Sequence, residues 1–172
     1  MTLKDVENKI ARIDHFPNKG VIFRDITPLF LEIDTIKFII QEMEKKLSSI
    51  DFDIIVSPES RGYLFGLPLA LKTNKPFVMV RKENKLPRTK ISIEYELEYG
   101  KGILEIHKGD IKPNSKILIV DDLLATGGTS IAIQNLVKKL DSKVVAQIYL
   151  IDLKGLWDKS KLDGSVFSLI SY

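Results

Sequence analysis

The sequence predicts an α/β fold: one domain with an open, mostly parallel central sheet flanked by helices, carrying a flexible β-hairpin hood. Three observations predict it. Short aliphatic and β-branched runs occur at 53–56, 77–80, 116–120 and 143–151, and most are near-continuous rather than alternating, as in strands covered on both faces. Helical patterns at 62–72 and 129–140 lie between them, and strand–helix alternation builds right-handed βαβ units. Residues 81–109 break this rhythm with many charges, three Gly and a Pro. A structureless loop of that length is uncommon in a compact domain, so a hairpin arm is expected there.

The elements follow in order. Leu3, Val6, Ile10 and Ile13 recur every three or four residues, which predicts a helix over 2–13. The turn residues of His15–Gly20 end it. Asp34 is the expected N-cap of a second helix, whose apolar stripe is Ile36, Ile39, Ile40, Met43, Leu47 and Ile50. The four predicted strands and two further helices then alternate around the hood.

Composition excludes several chemistries. The 172 residues are 44% hydrophobic and 28% charged, which is ordinary for a globular domain. The chain has no cysteine, so a disulfide framework, a thiol nucleophile and a Cys-ligated metal are ruled out. Two histidines, His15 and His107, are too few for a His-rich metal site. The formal charge of +3 is too small to argue for a nucleic-acid partner. The charged N-terminus lacks the apolar core of a signal peptide, and no apolar run approaches the ~20 residues of a membrane span. A cytoplasmic protein with neither nucleic acid nor membrane as partner is therefore expected. Between Lys72 and Lys90 seven cations stand against one acid, Glu83, a stretch expected to receive a polyanion.

The chemistry concentrates in Lys116–Thr129. An apolar strand ends in two acids, Asp121 and Asp122, followed by Ala125-Thr126-Gly127-Gly128-Thr129 and a helix. Ligands of open α/β sheets bind at the carboxyl ends of strands. The small-residue turn can aim successive N–H groups and two hydroxyls at one anion, with the helix N-terminus behind it. A Walker loop is absent, which removes an NTPase reading. Two carboxylates would repel a bare phosphate but suit the hydroxyls of a ribose, so the joint ligand is a ribose 5-phosphate.

Val120-Asp-Asp-Leu-Leu-Ala-Thr-Gly-Gly-Thr129 resembles the phosphoribosyl-diphosphate (PRPP) motif of the type I phosphoribosyltransferases, in the form used by their adenine-specific branch. Phe16–Pro28, Glu59-Ser-Arg-Gly-Tyr63, Lys85-Leu-Pro87 and Glu96-Leu-Glu-Tyr-Gly100 match that branch in order, and Val166–Ile170 is its usual last strand. The resemblance covers residues 10–172. It implies transfer of phosphoribose from PRPP to N9 of adenine, giving AMP and pyrophosphate in purine salvage, and a homodimer formed through the first helices and the loop after Pro28.

The resemblance also implies roles. Asp121 and Asp122 would hold the ribose hydroxyls, and residues 125–129 the 5-phosphate. Ser60, Arg61 and Gly62 would form a pyrophosphate loop, often with a non-proline cis peptide, assisted by Arg81, Lys82 and Lys85. Val21, Phe23 and Arg24 would surround adenine, largely through backbone atoms; from its charge alone, Asp25 is expected to pair with a nearby basic residue and orient the segment. Glu98 and Tyr99 of the hood would close over the reacting centre. Glu98 is the candidate acid/base, and Arg61 a catalytic cation for the leaving diphosphate. Mg²⁺ would be held mainly by PRPP and water, with no protein metal site. Two departures stand out: Glu83-Asn84 replaces a basic-Gly pair, and Tyr63 stands where Phe is common. The same fold acting on another base, a PRPP-sensing regulator and a PRPP synthetase are the competing functions. The Phe16–Thr27 segment argues against the first, and the 172-residue length argues against the other two.

Overall fold

A computed structural model describes residues 1–96 and 101–172. Its main sheet has seven strands: β3 (Ile54–Pro58), β4 (Phe77–Lys82), β5 (Lys90–Glu96), β6 (Lys101–His107), β7 (Lys116–Leu124), β8 (Lys143–Asp152) and β9 (Ser165–Ser171). They are ordered β5-β6-β4-β3-β7-β8-β9. Neighbours from β4 through β9 are parallel, and β5 and β6 join antiparallel at one edge. All five residues of β3 are buried, as a continuous apolar run demands of a central parallel strand.

Helices cover both faces. On one face α2 (Ile33–Lys46) and α3 (Tyr63–Thr73) pack over a core that includes Ile39, Met43, Phe65, Leu69 and Leu118. On the other, α4 (Gly128–Lys138) buries Ile133, Leu136 and Val137 against Val56, Ile117 and Ile119. The β3–α3–β4 and β7–α4–β8 units therefore put their helices on opposite faces, and β3 and β7 lie side by side between them. Among the described residues no helix is long and apolar enough to cross a membrane.

The amino-terminal helix is shorter than its periodicity predicts. α1 runs only over Leu3–Lys9, capped by a reciprocal Thr2–Asp5 box. Ile10 is extended, and β1 (Ala11–Asp14) pairs antiparallel with β2 (Ile22–Asp25). Ile13 thus belongs to a strand and is exposed; its helical spacing is accidental. Asp34 is not the cap of α2. Glu32 holds that position and Asp34 lies in the first turn, exposed and 3.4 Å from Lys37.

The hood is more firmly rooted than a projecting arm. β6 pairs with β4 at Arg81↔Glu105 and Lys82↔Leu104, and β5 with β6 along seven residue pairs. Ile91, Ile93 and Tyr95 of β5 pack against the core beneath α4, and Lys139 Nζ donates to the Ser92 carbonyl at 3.1 Å. The stem of the hood is therefore part of the main sheet.

Candidate active site

The two loops singled out in the sequence leave adjacent strands on the same side of the sheet. The first turns from β3 into α3. The Glu59–Ser60 peptide is cis, matching the implied pyrophosphate loop. Gly62 is required by close approach: a Cβ there would lie 2.8 Å from both Pro58 Cδ and Pro58 O, and 2.9 Å from Asp121 Oδ1. The second loop leaves β7 and enters α4. Gly127 has φ +86°, the left-handed region that glycine adopts at no steric cost. No side chain caps α4, so its first-turn N–H groups remain available to an anion. A Cβ at Gly128 would stand 3.3 Å from Glu96 O, which places the hood backbone directly over this loop.

Between the loops lies a cavity of about 350 Å³ lined by Ser60, Arg61, Lys82, Asp121, Asp122 and Thr129, together with Glu59, Tyr95 and Leu123 among others. Arg61 Nε stands 2.9 Å from Asp122 Oδ2, an ion pair that joins the loops across the crevice. Asp122 is only 5% exposed. Its N–H donates to Asp121 Oδ1 at 2.8 Å. Burial, and then the neighbouring Asp122 carboxylate, raise the Asp121 pKa well above the ordinary value. Burial also raises that of Asp122, with Arg61 opposing the rise. Hydroxyl donors brought to the pair would stabilise its ionised form.

The cationic stretch is mostly committed internally. Glu59 accepts from Arg81 Nε at 3.2 Å and from Lys82 N at 3.1 Å, and the Arg81 hydrogen bond holds the Glu59 carboxyl below its usual range. Lys72 pairs with Glu44, Arg88 with Asp110 and Lys90 with Glu105, while Lys75 lies over the Phe52 ring. Among the described residues Lys82 and Lys85 have no carboxylate within ion-pair distance, and of these only Lys82 lines the cavity. Local charge is therefore smaller than the residue count suggests.

The predicted base segment splits across β2. Phe23 packs edge-on against Phe16, with centroids 5.2 Å apart, and lies 5.5 Å from the Arg61 guanidinium, adjoining the cavity. The Arg24 side chain instead stacks on Tyr172 at 3.7 Å, because successive strand residues face opposite ways. Only the backbone of Arg24 remains beside Phe23, and Val21 directly precedes the strand. Among the described residues Asp25 forms no ion pair with a basic side chain; both its oxygens accept from Thr27, at 2.9 and 2.8 Å. Glu98 and Tyr99 lie outside the described residues.

Both sequence departures have local solutions. Tyr63 donates its hydroxyl to the Val80 carbonyl at 2.9 Å, and burial pushes its pKa up to about 12. Asn84 takes φ +61°, a conformation asparagine tolerates better than most residues, and its N–H reaches Glu105 Oε2 at 3.1 Å. Sequence reasoning missed Glu59, although it sits inside the Pro58–Gly62 run, and Tyr95, whose ring lies at the cavity wall.

The fold and cavity define an open α/β sheet with a ligand crevice between two loops at its carboxyl edge, and comparisons with known proteins give its family. Residues 29–171 match the phosphoribosyl transferase domain model; the chain belongs to the phosphoribosyltransferase family. An adenine phosphoribosyltransferase of Malacoplasma penetrans is 60% identical over the full length of both chains. The crystal structure of adenine phosphoribosyltransferase from Thermoanaerobacter pseudethanolicus superposes with a TM-score of 0.96 at 44% identity, covering 99% of this chain and 100% of that one. The Saccharomyces cerevisiae enzyme, complexed with an imino-altritol bisphosphate and adenine, gives 0.90 at 35% identity, covering 97% of each chain.

Proposed function

We propose that this chain is an adenine phosphoribosyltransferase, transferring the phosphoribosyl group of PRPP to N9 of adenine and releasing pyrophosphate. The observation that carries the reading is the Arg61–Asp122 contact across the crevice, beside a glycine-lined helix N-terminus. One cavity thus presents a cation for a diphosphate, two carboxylates for a diol and a cradle for a terminal phosphate.

On this reading residues 125–129 anchor the 5-phosphate far from the bond that breaks, and that remote binding energy serves to position the sugar. Asp121 and Asp122 accept from the 2- and 3-hydroxyls. The hydroxyls replace Arg61 at Asp122, and the freed guanidinium turns its donors to the diphosphate with Ser60, Gly62 and Lys82. Arg81 and Lys85 add charge behind them. The bond from C1 to the diphosphate loosens, and positive charge develops on the sugar while these cations stabilise the leaving group. Adenine enters beside Phe23, read by the backbone of residues 21–24, and Glu98 serves as the acid/base near the purine. The hood excludes water from a cationic sugar centre.

The paired oxygen donors Asp121 and Asp122 suit a hard cation such as Mg²⁺, and among the described residues no cluster of three His, Cys, Asp or Glu would hold one unaided. Mg²⁺ carried by PRPP oxygens and water would supply further charge at the diphosphate. A cytoplasmic homodimer completes the proposal, supported by the exposure of Leu31, Ile33, Leu67 and Leu71, large apolar side chains that a partner would cover.

A spectrophotometric assay with PRPP, Mg²⁺ and a purine panel tests the reaction: adenine should be turned over far faster than hypoxanthine, guanine or xanthine. Arg61→Ala and Asp122→Asn should each lower turnover at least tenfold in folded protein. Near-normal rates in both would overturn the site assignment, and comparable use of another purine would overturn the base.

A further inference from the structure

Behind the phosphate loop lies a buried polar chain that the mechanism above does not use. Ser130 and Gln134 stand one turn apart on the inner side of α4, and Gln147 and Tyr149 share one face of β8. All four are almost fully inaccessible, Tyr149 and Gln147 completely. Ser130 Oγ lies 2.6 Å from Tyr149 Oη. Tyr149 Oη donates to Gln147 Oε1 at 2.7 Å, so it must accept from Ser130. Gln147 Nε2 donates to Gln134 Oε1 at 2.8 Å and to the Asp163 carbonyl at 2.9 Å. Gln134 Oε1 also accepts from Asp163 N at 2.8 Å, and its Nε2 donates to the Lys161 carbonyl at 3.1 Å. The side-chain donors all point one way, from the first turn of α4 to the segment before β9, where Asp163 N closes the chain by donating back to Gln134 Oε1.

Both ends touch the phosphate loop. Ser130 directly follows Thr129. Leu162, between the two bonded backbone positions, lies 3.6 Å from where a Cβ on Gly127 would stand, and Trp157 packs beside it. Tyr149 is also the β8 partner of Asp121 in the strand register. One phenol thus lies under both the diol-facing carboxylate and the anion-facing helix start. An all-apolar core could fill this volume, but it would not fix orientation; a fully satisfied polar network does.

We propose that Tyr149 is a positioning residue for the ribose 5-phosphate half of the site. Through Ser130 it fixes the N-terminal turn of α4, and through Gln147 and Gln134 it holds the 157–163 segment against Gly127. The inference rests on the reading of residues 125–129 as the phosphate loop.

Tyr149→Phe keeps the ring and removes the link, leaving Ser130 Oγ and Gln147 Oε1 without their partner. The expected result is a KM for PRPP raised about three- to tenfold, an unchanged KM for adenine, and faster amide exchange at residues 127–131. Ser130→Ala should shift the PRPP KM in the same direction, and it provides the test should Tyr149→Phe fail to fold. Lowered thermal stability with both KM values unchanged would make the network merely structural and overturn the proposal. Thr129→Ala separates the two failures. If it raises the PRPP KM while Tyr149→Phe and Ser130→Ala do not, the positioning role alone is wrong; if it too has no effect, the phosphate-loop reading falls.

Discussion

Gly62→Ala is the most demanding test of the crevice geometry, because the added methyl has nowhere to go. Its Cβ would sit 2.8 Å from the Pro58 carbonyl oxygen and 2.9 Å from Asp121 Oδ1, whereas ordinary contact begins at 3.4 Å. Something must therefore move by about 0.6 Å. Pro58 is the buried end of β3 and cannot retreat, so the displacement falls on the pyrophosphate loop and on Asp121. Overpacking of this kind costs about 1–3 kcal/mol. At about 2–4 °C per kcal/mol for a chain of this size, Tm should fall by roughly 2–12 °C. A 1 Å misplacement can cost about a hundredfold in rate, so a shift of about half that should lower kcat/KM by about tenfold. Steady-state kinetics beside a thermal melt reads both effects. Gly109→Ala is the matched control: φ is +97° with open space around the position, so stability should drop while kinetics hold. Wild-type kcat/KM in folded Gly62→Ala would refute the argument that loop and carboxylate are held in register by this contact.

Three further outcomes follow from the charges. Lys82→Ala should raise the PRPP KM severalfold, more at low salt than at high, whereas Lys72→Ala, whose charge is spent on Glu44, should leave it unchanged; equal effects would restore a diffuse cationic field. Because the folded protein raises the pKa of Asp121 and of Asp122, their stabilising contribution is complete below the unfolded aspartate value and is lost as pH rises through the raised folded values. Asp121→Asn should therefore gain Tm relative to the parent as pH rises above the unfolded aspartate value of about 4, and a pH-independent difference in melting curves would contradict the sign. Glu98→Gln should lower kcat more than it raises KM, and an unchanged kcat would remove Glu98 from the mechanism.

What the sequence made legible was whatever depends on local pattern. The apolar runs of β3, β7 and β8 read directly as buried strands, and the strand–acid–glycine–helix run placed Asp121, Asp122 and residues 125–129 at one sheet edge. What it hid depends on partners. Ile13 satisfies a helical period, yet hydrogen bonding to β2 wins, and an exposed two-stranded ribbon leaves no apolar alternation to read. Counting cations between residues 72 and 90 could not reveal that Glu44, Glu59, Glu105 and Asp110, distant in sequence, neutralise most of them. Arg24 adjoins Phe23 in sequence, and only strand alternation and the approach of Tyr172 separate their side chains. The buried amides had one faint signal, Gln147 inside the otherwise apolar Val144–Ile151 run, but its partners could not be read from spacing.

The adjacency of β3 and β7 has a geometric consequence. If the diphosphate sits on the loop after one strand and the ribose on the loop after the other, the bond to be broken spans a single inter-strand step. That step is about 4.8 Å, set by backbone hydrogen bonds rather than by side chains. The helices that follow anchor to separate cores on opposite faces, so each loop can drift through sequence change without dragging the other. The sheet then acts as a fixed gauge: leaving group and sugar are held apart by a distance the backbone supplies, whatever residues decorate the loops.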